Sequence, residues 1–313
     1  MKTLLLVAGG RSGSDFFQSL LDGHSQVLQF PGTIKTNKAF IQIISQKNPN
    51  NISSEFIKNY IHFFDSRVGW GKVERHDQLG LEKNQYFVVD QHKFKTYFLE
   101  MFVKGSKNLM KNRFFEIMLI LHQAYAKASG QDIEKKKIMI INSHLVEWTK
   151  YFGEKINNVD FDIIHMIRNP LSNITSLVNN WLNYGNGKYF FAQSMYFHLN
   201  LIVNGIKELK QIKKKLLIIQ LEMLHHNYSN VMKDFCKIYN LNYQDSMKNA
   251  TVFNLKWWSD KISGKDLSGI DKNFKVNYND KLFYMRDIKF LEYILRNYIS
   301  FYNYKFTNKN KNF

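Results

Sequence analysis

A glycine-serine loop that contains an arginine follows the first apolar run of the sequence. The run covers residues 4–8, and the loop over residues 9–15 reads GGRSGSD. Glycines let a backbone approach an anion closely, and amides at the start of a following helix point toward it. An arginine in the loop adds a cation that can hold two anionic oxygens at once. The pattern predicts an anion-binding loop made by Gly10, Arg11, Ser12, Gly13 and Ser14.

Two other interpretations of this loop stay open. The first is a plain strand-to-helix turn with Ser12 or Ser14 as N-cap, which an acidic residue in the first helical turn also suits. The second is a nucleotide loop of the form G-x-x-x-x-G-K-[ST]. With Gly13 as the second glycine, Ala8 replaces the first one, and Ser14 and Asp15 replace the lysine and the metal-binding hydroxyl. A Mg-ATP site is therefore not expected, and a P-loop nucleotide or small-molecule kinase is the alternative function.

A second arginine stands at the end of another apolar run. Residues 161–167 read FDIIHMI, and the next segment, residues 168–176, reads RNPLSNITS. Asn169 followed by Pro170 predicts a helix start, with Asn as N-cap and Pro at the first helical position. That helix start does not account for Arg168. Ser176 lies about two turns into the helix, so an arginine and a hydroxyl could grip one phosphate from two sides.

Taken together, these two segments resemble the cofactor-binding motifs of sulfotransferases. GGRSGSDFFQSLLDGH resembles the 5′-phosphosulfate-binding loop of that family, and IRNPLSNITS resembles its 3′-phosphate-binding segment. Their order agrees with the family, as does the separation of about 155 residues between the two arginines. The stretch LLIIQLEML also looks like the family's strand followed by Glu and Leu. The resemblance covers roughly residues 1–30 and 138–240.

The resemblance implies a sulfotransferase that uses 3′-phosphoadenosine 5′-phosphosulfate, releases adenosine 3′,5′-bisphosphate and needs no metal. Arg11 and the amides around Gly13 and Ser14 would hold the 5′-phosphosulfate, and Arg168 and Ser176 would bind the 3′-phosphate. The family's C-terminal Arg-Lys-Gly segment is not evident, and Lys265, with Lys261 and Gly264 nearby, is the candidate substitute. Two departures are Asp15, where the family usually has Thr or Ser, and Leu221, near the expected adenine.

Sulfuryl transfer calls for a general base that takes the proton of the acceptor. Some sulfotransferases place a glutamate after the first helix, but SQVLQFPGTI holds no carboxylate there. Others use a histidine in a Lys-Thr-His-Leu segment, which Asn142-Ser143-His144-Leu145 resembles. His144 is therefore the candidate base, with Arg11 stabilising the charge that develops on the leaving group. His92 is the second choice, and His225 and His226 are expected on the surface.

The elements that must position these residues are short apolar strands alternating with helices. Strands are predicted at residues 4–8, 26–30, 137–142, 161–167 and 216–220. Helices are predicted at residues 12–21, 54–64, 94–103, 113–128, 145–152, 170–182, 190–212, 228–239 and 280–302, with loops over 67–92 and 250–280. This alternation predicts an α/β fold with a parallel central sheet of about five strands flanked by helices. The segments 9–15, 142–145 and 168–176 all leave the carboxyl ends of strands, where such sheets bind ligands.

Composition limits the remaining possibilities. The chain of 313 residues lacks a Pro/Gly/Ser-rich linker, which predicts one domain over residues 1–313 with a frayed tail at 305–313. A single cysteine excludes an intrachain disulfide, and no apolar run is long enough to span a membrane, so a cytoplasmic protein is expected. Lysine supplies 37 of the 44 positive charges. The sequence has no segment in which basic and aromatic residues are interleaved, so nucleic-acid binding is not expected. A small molecule or glycan that accepts the sulfuryl group on a hydroxyl or an amine is the expected partner, and residues 31–135 are expected to form its pocket.

Overall fold

The computed structural model describes residues 1–105, 112–156, 158–184, 187–261, 269–274 and 283–304. Its strands are β1 (Lys2–Ala8), β2 (Val27–Leu28), β3 (Ile138–Leu145), β4 (Phe161–Ile167), β5 (Leu216–Gln220), β6 (Thr251–Val252) and β7 (Leu255–Lys256). Its described helices are α1 (Ser14–Leu20), α2 (Lys38–Ile44), α3 (Pro49–Asn59), α4 (Ile61–Phe64), α5 (Gln91–Lys104), α6 (Arg113–Ala128), α7 (Val146–Lys155), α8 (Pro170–Tyr184), α9 (Gly187–Ile212), α10 (Leu221–His226), α11 (Tyr228–Ile238) and α12 (Met285–Phe301). Short 3₁₀ turns lie at Gly69–Lys72 and Asp245–Lys248.

Five parallel strands form the central sheet in the order β2-β3-β1-β4-β5. The strands β1 to β4 are almost fully buried, because helices cover both faces of the sheet and the strands are mainly apolar. In the edge strand β5, Ile219 is buried and the other four residues are partly or fully exposed. β1 lies in the middle, and Leu4 faces Ile140 of β3 on one side and Asp162 of β4 on the other. The predicted fold class is confirmed. The loop after β1 therefore opens between the carboxyl ends of two neighbouring strands.

The strand β3 is longer than predicted and contains a bulge. It runs to Leu145 rather than to residue 142, and its register against β1 shifts between Asn142, which faces Leu6, and His144, which faces Val7. The shift leaves Ser143 outside the pairing, and its hydroxyl lies 2.5 Å from that of Thr36. Bulges re-aim side chains next to functional sites. Here the bulge turns His144 (φ 65°) toward the loop that follows β1.

Several predicted boundaries need correction. The helix predicted to start at residue 54 begins at Pro49, because Asn48 caps it by accepting the N–H of Asn50 and Pro49 suits the first helical position. The short helices α2 and α10 were not predicted. The predicted loop over 250–280 contains the hairpin β6–β7, although residues 262–268 and 275–282 lie outside the described part. The predictions 113–128, 161–167 and 216–220 match the structure residue for residue.

A second apolar cluster packs α8, α9 and α12 together next to the end of β4. Leu171 and Ile174 of α8 meet Leu291 and Leu295 of α12 in this cluster, and all four are buried. The C-terminal helix thereby supports the helix that follows Arg168. Within the described ranges, no helix is long and apolar enough to cross a bilayer. Residues 305–313 lie outside the described part of the chain.

Candidate functional site

Three residues of the loop after β1 have positive φ angles, which most residue types avoid. Gly10 (φ 74°), Arg11 (φ 50°) and Gly13 (φ 85°) all lie in the left-handed region. A Cβ on Gly13 would also come within 2.6 Å of a methyl carbon of Leu221, so this position excludes any side chain. Gly13 is the N-cap of α1, and the interpretation with Ser12 or Ser14 as N-cap is wrong.

Asn173, in the first turns of α8, holds this loop in place. Its side-chain amide donates to the carbonyl oxygen of Gly10 at 2.7 Å and to the hydroxyl of Ser12 at 2.9 Å. The Ser12 hydroxyl in turn donates to the carbonyl of Gly10 at 3.1 Å. Both side chains are buried. Sequence reasoning missed Asn173, although it stands three residues before Ser176 and so shares a face of the helix with it.

Arg11 and Ser176 meet across the loop, a contact that the sequence did not predict, because it paired Ser176 with Arg168. Nε of Arg11 lies 3.4 Å from the hydroxyl oxygen of Ser176, and Nη1 forms an ion pair with Asp260 at 2.7 Å. The side chains of Arg11 and Asp260 are 18% and 14% exposed, so water screens this pair less than a surface pair. The sequence separates the two residues by 249 positions and gave no sign of the pairing. Asp260 holds the guanidinium of Arg11 at the mouth of the loop.

Arg168 lies behind the loop and completes the cationic site. Its Nη1 donates to the backbone carbonyl of Arg11 at 3.3 Å. Its Nε is buried and has no hydrogen-bond partner among the described residues. Burial is the main cause that lowers the pKa of Arg168 to about 10; Glu222 opposes this effect and the nearby Arg11 adds to it. Two guanidinium groups therefore face one small region, and an anion bound there would relieve their repulsion.

The segment after Arg168 is fixed by buried hydrogen bonds. Asn169 caps α8 as predicted, because its side-chain oxygen accepts the N–H groups of Leu171 and Ser172 at 3.1 and 3.2 Å. The backbone N–H of Asn169 donates to Glu222 at 2.7 Å, and the hydroxyl of Tyr304 donates to the other oxygen of that carboxylate. Glu222 thus places a negative charge near Arg168 without a direct ion pair. This arrangement leaves the guanidinium available to a ligand.

His144 lies beside the loop, at the carboxyl end of β3. Its Nδ1 is 3.5 Å from the hydroxyl oxygen of Ser14, and the residue is half-buried. Burial lowers the pKa of His144; Asp15 opposes that effect, while Arg11 and Lys35 add to it. The neutral imidazole is consequently the main form at pH 7, and only this form can accept a proton. The left-handed backbone of His144 costs roughly 1–3 kcal/mol, and such strain is concentrated at functional sites.

The carboxylate of Asp15 is held by partners outside the loop. Its Oδ1 accepts hydrogen bonds from Asn142 at 3.1 Å and from the hydroxyl of Thr33 at 3.3 Å. The same amide group of Asn142 also donates to Gln18 at 2.8 Å. Asn142, where the resembled motif has lysine, therefore anchors α1 to β3. The carboxylate of Asp15 need not repel an anion held by Arg11.

The other candidates fall elsewhere. Lys265 and Gly264 lie outside the described residues, while the backbone N–H of Lys261 donates to the carbonyl of Val73. His92 is exposed at the start of α5, where its backbone N–H donates to Asp90. The expectation that His225 is a surface residue is wrong. It is 6% exposed, because its ring is stacked between Phe16 and Phe274 at 4.7 and 4.3 Å.

Among the described residues, no group of three or more His, Cys, Asp or Glu side chains could hold a metal ion. No protein-family model and no curated protein matches the chain.

Two solved structures share its architecture over nearly the whole length. One is the sulfotransferase domain from the Synechococcus PCC 7002 olefin synthase, with 11% sequence identity and a TM-score of 0.50 over 97% of this chain and 95% of that chain. The other is the sulfotransferase domain from the curacin biosynthetic pathway, with 13% identity and a TM-score of 0.50 over 98% of this chain and 99% of that chain. At these identities the likeness concerns the fold. The chain therefore has the sulfotransferase fold, in agreement with the resemblance of its two arginine segments to the cofactor-binding motifs of that family.

Proposed function

We propose that this protein is a sulfotransferase that moves a sulfuryl group from 3′-phosphoadenosine 5′-phosphosulfate to a hydroxyl group of an acceptor. One observation carries the proposal. Arg11, Arg168 and Ser176 come from segments about 160 residues apart and converge on one glycine loop at the carboxyl end of β1. A glycine loop with one arginine of its own, a second arginine from the end of β4 and no lysine suits a nucleotide that carries phosphates at both the 3′ and 5′ positions of its ribose better than a triphosphate with magnesium.

The residues present fit such a donor. Nε of Arg168 is a buried donor that lacks a partner among the described residues, and leaving a buried donor unsatisfied costs about 1–3 kcal/mol. A phosphate oxygen would satisfy it. Gly13 also stands at the N-terminus of α1, where backbone N–H groups favour an anion. Arg168 and Ser176 would hold the 3′-phosphate, and Arg11 with the loop amides would hold the 5′-phosphosulfate.

The donor supplies an activated sulfuryl group, and the protein supplies position, charge and a base. Arg11 would stabilise the negative charge that grows on the leaving phosphate oxygen as the bond to sulfur breaks. The acceptor oxygen forms the new bond to sulfur, and its proton passes to His144, whose neutral form is favoured by burial. His198 lies near the same loop, and burial lowers its pKa to about 4, so it contributes no positive charge at pH 7.

Selective binding of the product nucleotide tests the proposal. Adenosine 3′,5′-bisphosphate should raise the melting temperature by much more than AMP does at the same concentration, because AMP lacks the 3′-phosphate and binds more weakly. A ligand at about 100 times its Kd adds about 2.7 kcal/mol to the free energy of unfolding. Mass spectrometry of an acceptor library incubated with labelled donor should then detect sulfated products in the presence of EDTA. Equal shifts from AMP and the bisphosphate would contradict the proposal. A strict need for Mg²⁺ and ATP would favour the kinase alternative.

A further inference from the structure

A cleft that is open to solvent lies next to the loop over residues 9–15. It is bounded by α1, by the turn after β2 and by the hairpin β6–β7. Its described lining combines carboxylates, an imidazole and aromatic walls: Asp15, Asp22, Glu74, His76, Phe30 and Trp257. None of the described lining residues is a lysine or an arginine, although the formal net charge of the chain is +18. The cleft is therefore an acidic feature of a basic protein.

Glu74 is the carboxylate of this cleft that other groups compensate least. Its side chain is only 12% exposed. Burial raises the pKa of Glu74 well above its usual range, and the carboxylates of Asp15 and Asp260 raise it further. A hydrogen bond from Trp70 and the charge of Lys35 act in the opposite direction. A cation bound in the cleft would lower the free energy of the ionised form of Glu74.

His76 offers an acceptor for such a ligand. The residue is 2% exposed, and its Nε2 lies 3.5 Å from a carboxylate oxygen of Glu74. Burial lowers the pKa of His76 to about 3, so the ring is neutral and carries one N–H and one acceptor nitrogen. Its Nδ1 is buried without a hydrogen-bond partner among the described residues. With Nε2–H facing Glu74, Nδ1 is left to accept a hydrogen bond from a ligand.

The remaining carboxylates of the cleft already have structural partners. Asp22 accepts the hydroxyl of Thr251 at 2.9 Å and the backbone N–H of Asn254 at 2.6 Å, which fixes the hairpin β6–β7 to α1. Asp15 accepts from Thr33 and Asn142. Beside the carboxylate of Glu74, the acceptors of the described lining that lack a hydrogen-bond partner are Nδ1 of His76 and Oε1 of Gln29.

We propose that this cleft is the acceptor subsite and binds a protonated primary amine, so that the acceptor is an amino alcohol such as an amino sugar. This inference rests on the proposed function, because it assigns the acceptor of the same reaction. Three N–H donors on one cation match a carboxylate and a neutral imidazole nitrogen. The cleft also adjoins the reacting end of the site, since Asp260 lies near Glu74 and is bonded to Arg11.

Binding of matched small probes to the full chain tests the subsite. By saturation-transfer NMR at pH 7, 2-aminoethanol should bind about tenfold more tightly than ethane-1,2-diol, and glucosamine more tightly than glucose. Glu74→Gln should weaken binding of the amines about tenfold and leave that of the diol unchanged. The control Glu134→Gln removes an exposed carboxylate from the turn before β3, at the amino-terminal end of that strand. It should change neither the amine affinity nor the diol affinity. Equal binding of amine and diol, or an amine affinity insensitive to Glu74→Gln, would overturn the proposal.

A second measurement needs no variant of the protein. Choline carries the same charge as 2-aminoethanol but has no N–H group, so it cannot donate to Nδ1 of His76. It should bind several-fold more weakly to the parent protein, and equal affinity would count against the assigned acceptor. Adenosine 3′,5′-bisphosphate binding is measured in the same samples. If the bisphosphate binds and the amines do not, only the subsite proposal fails. If the amines bind and the bisphosphate does not, the sulfotransferase proposal fails.

Discussion

Replacement of Arg168 by methionine should abolish the preference for a 3′-phosphate. Methionine keeps an unbranched apolar stem but removes the guanidinium and its charge. In the structure that group donates a hydrogen bond to the carbonyl of Arg11, and its buried Nε has no partner among the described residues. A phosphate in this position would receive charge-assisted bonds worth about 1.5–3 kcal/mol. At about 3 kcal/mol, the Kd for adenosine 3′,5′-bisphosphate rises roughly 150-fold.

The free energy of unfolding should change much less. Burial lowers the pKa of Arg168, which means that the fold holds its cation at a cost in free energy. Loss of that cation relieves its desolvation and its repulsion from Arg11, and this offsets the lost hydrogen bond. We expect unfolding of the Arg168→Met variant within about 1 kcal/mol of the parent. Chemical denaturation measures this quantity independently of any ligand.

Isothermal titration of two nucleotides separates the assigned role from general damage. AMP lacks the 3′-phosphate, so Arg168→Met should leave the Kd of AMP nearly unchanged while the Kd of the bisphosphate rises. Arg168→Lys keeps the charge without the planar fork and should lie between the parent and the methionine variant. The control Arg286→Met removes an arginine whose side chain is 83% exposed, and the affinities for AMP and for the bisphosphate should both stay unchanged. A folded Arg168→Met protein that still prefers the bisphosphate to AMP would refute the assignment.

Three further predictions concern the loop and the base. Asp260→Asn should tighten bisphosphate binding several-fold in titrations, because the carboxylate no longer competes for Arg11; weaker binding would show that the pair orients the arginine instead. Gly13→Ala should lower the free energy of unfolding by about 2–3 kcal/mol, since residue 13 has a positive φ and its new Cβ would lie 2.6 Å from a carbon of Leu221. In the control Gly9→Ala the new Cβ meets only an ordinary 3.6 Å contact, so the same denaturation assay should show a smaller loss. The kcat should fall as the pH drops through the lowered pKa of His144, below 6.5, and His144→Gln should reduce kcat by about 10²–10⁴ with bisphosphate affinity retained; a near-parental kcat would eliminate the role.

Local patterns in the sequence determined the sheet and the backbone of the loop over residues 9–15. Continuous apolar runs specify buried parallel strands, and the run 161–167 was predicted with its correct ends because Arg168 and Asn169-Pro170 follow it directly. The special backbone at Gly10 and Gly13 is likewise a local property, which glycines signal in the sequence. The contact between Arg11 and Ser176 was not among these predictions, because the resemblance paired Ser176 with Arg168.

Tertiary structure decided the contacts that tune the site. The bulge at Ser143 depends on the register between β3 and β1, and periodicity along one strand does not encode register. The clamp by Asn173, the ion pair between Arg11 and Asp260, and the cleft around Glu74 join segments up to 249 residues apart. Polar pairs of this kind need a common position in space, and many side chains of the same type occur along the chain. Their partners were therefore fixed only when the helices packed onto the sheet.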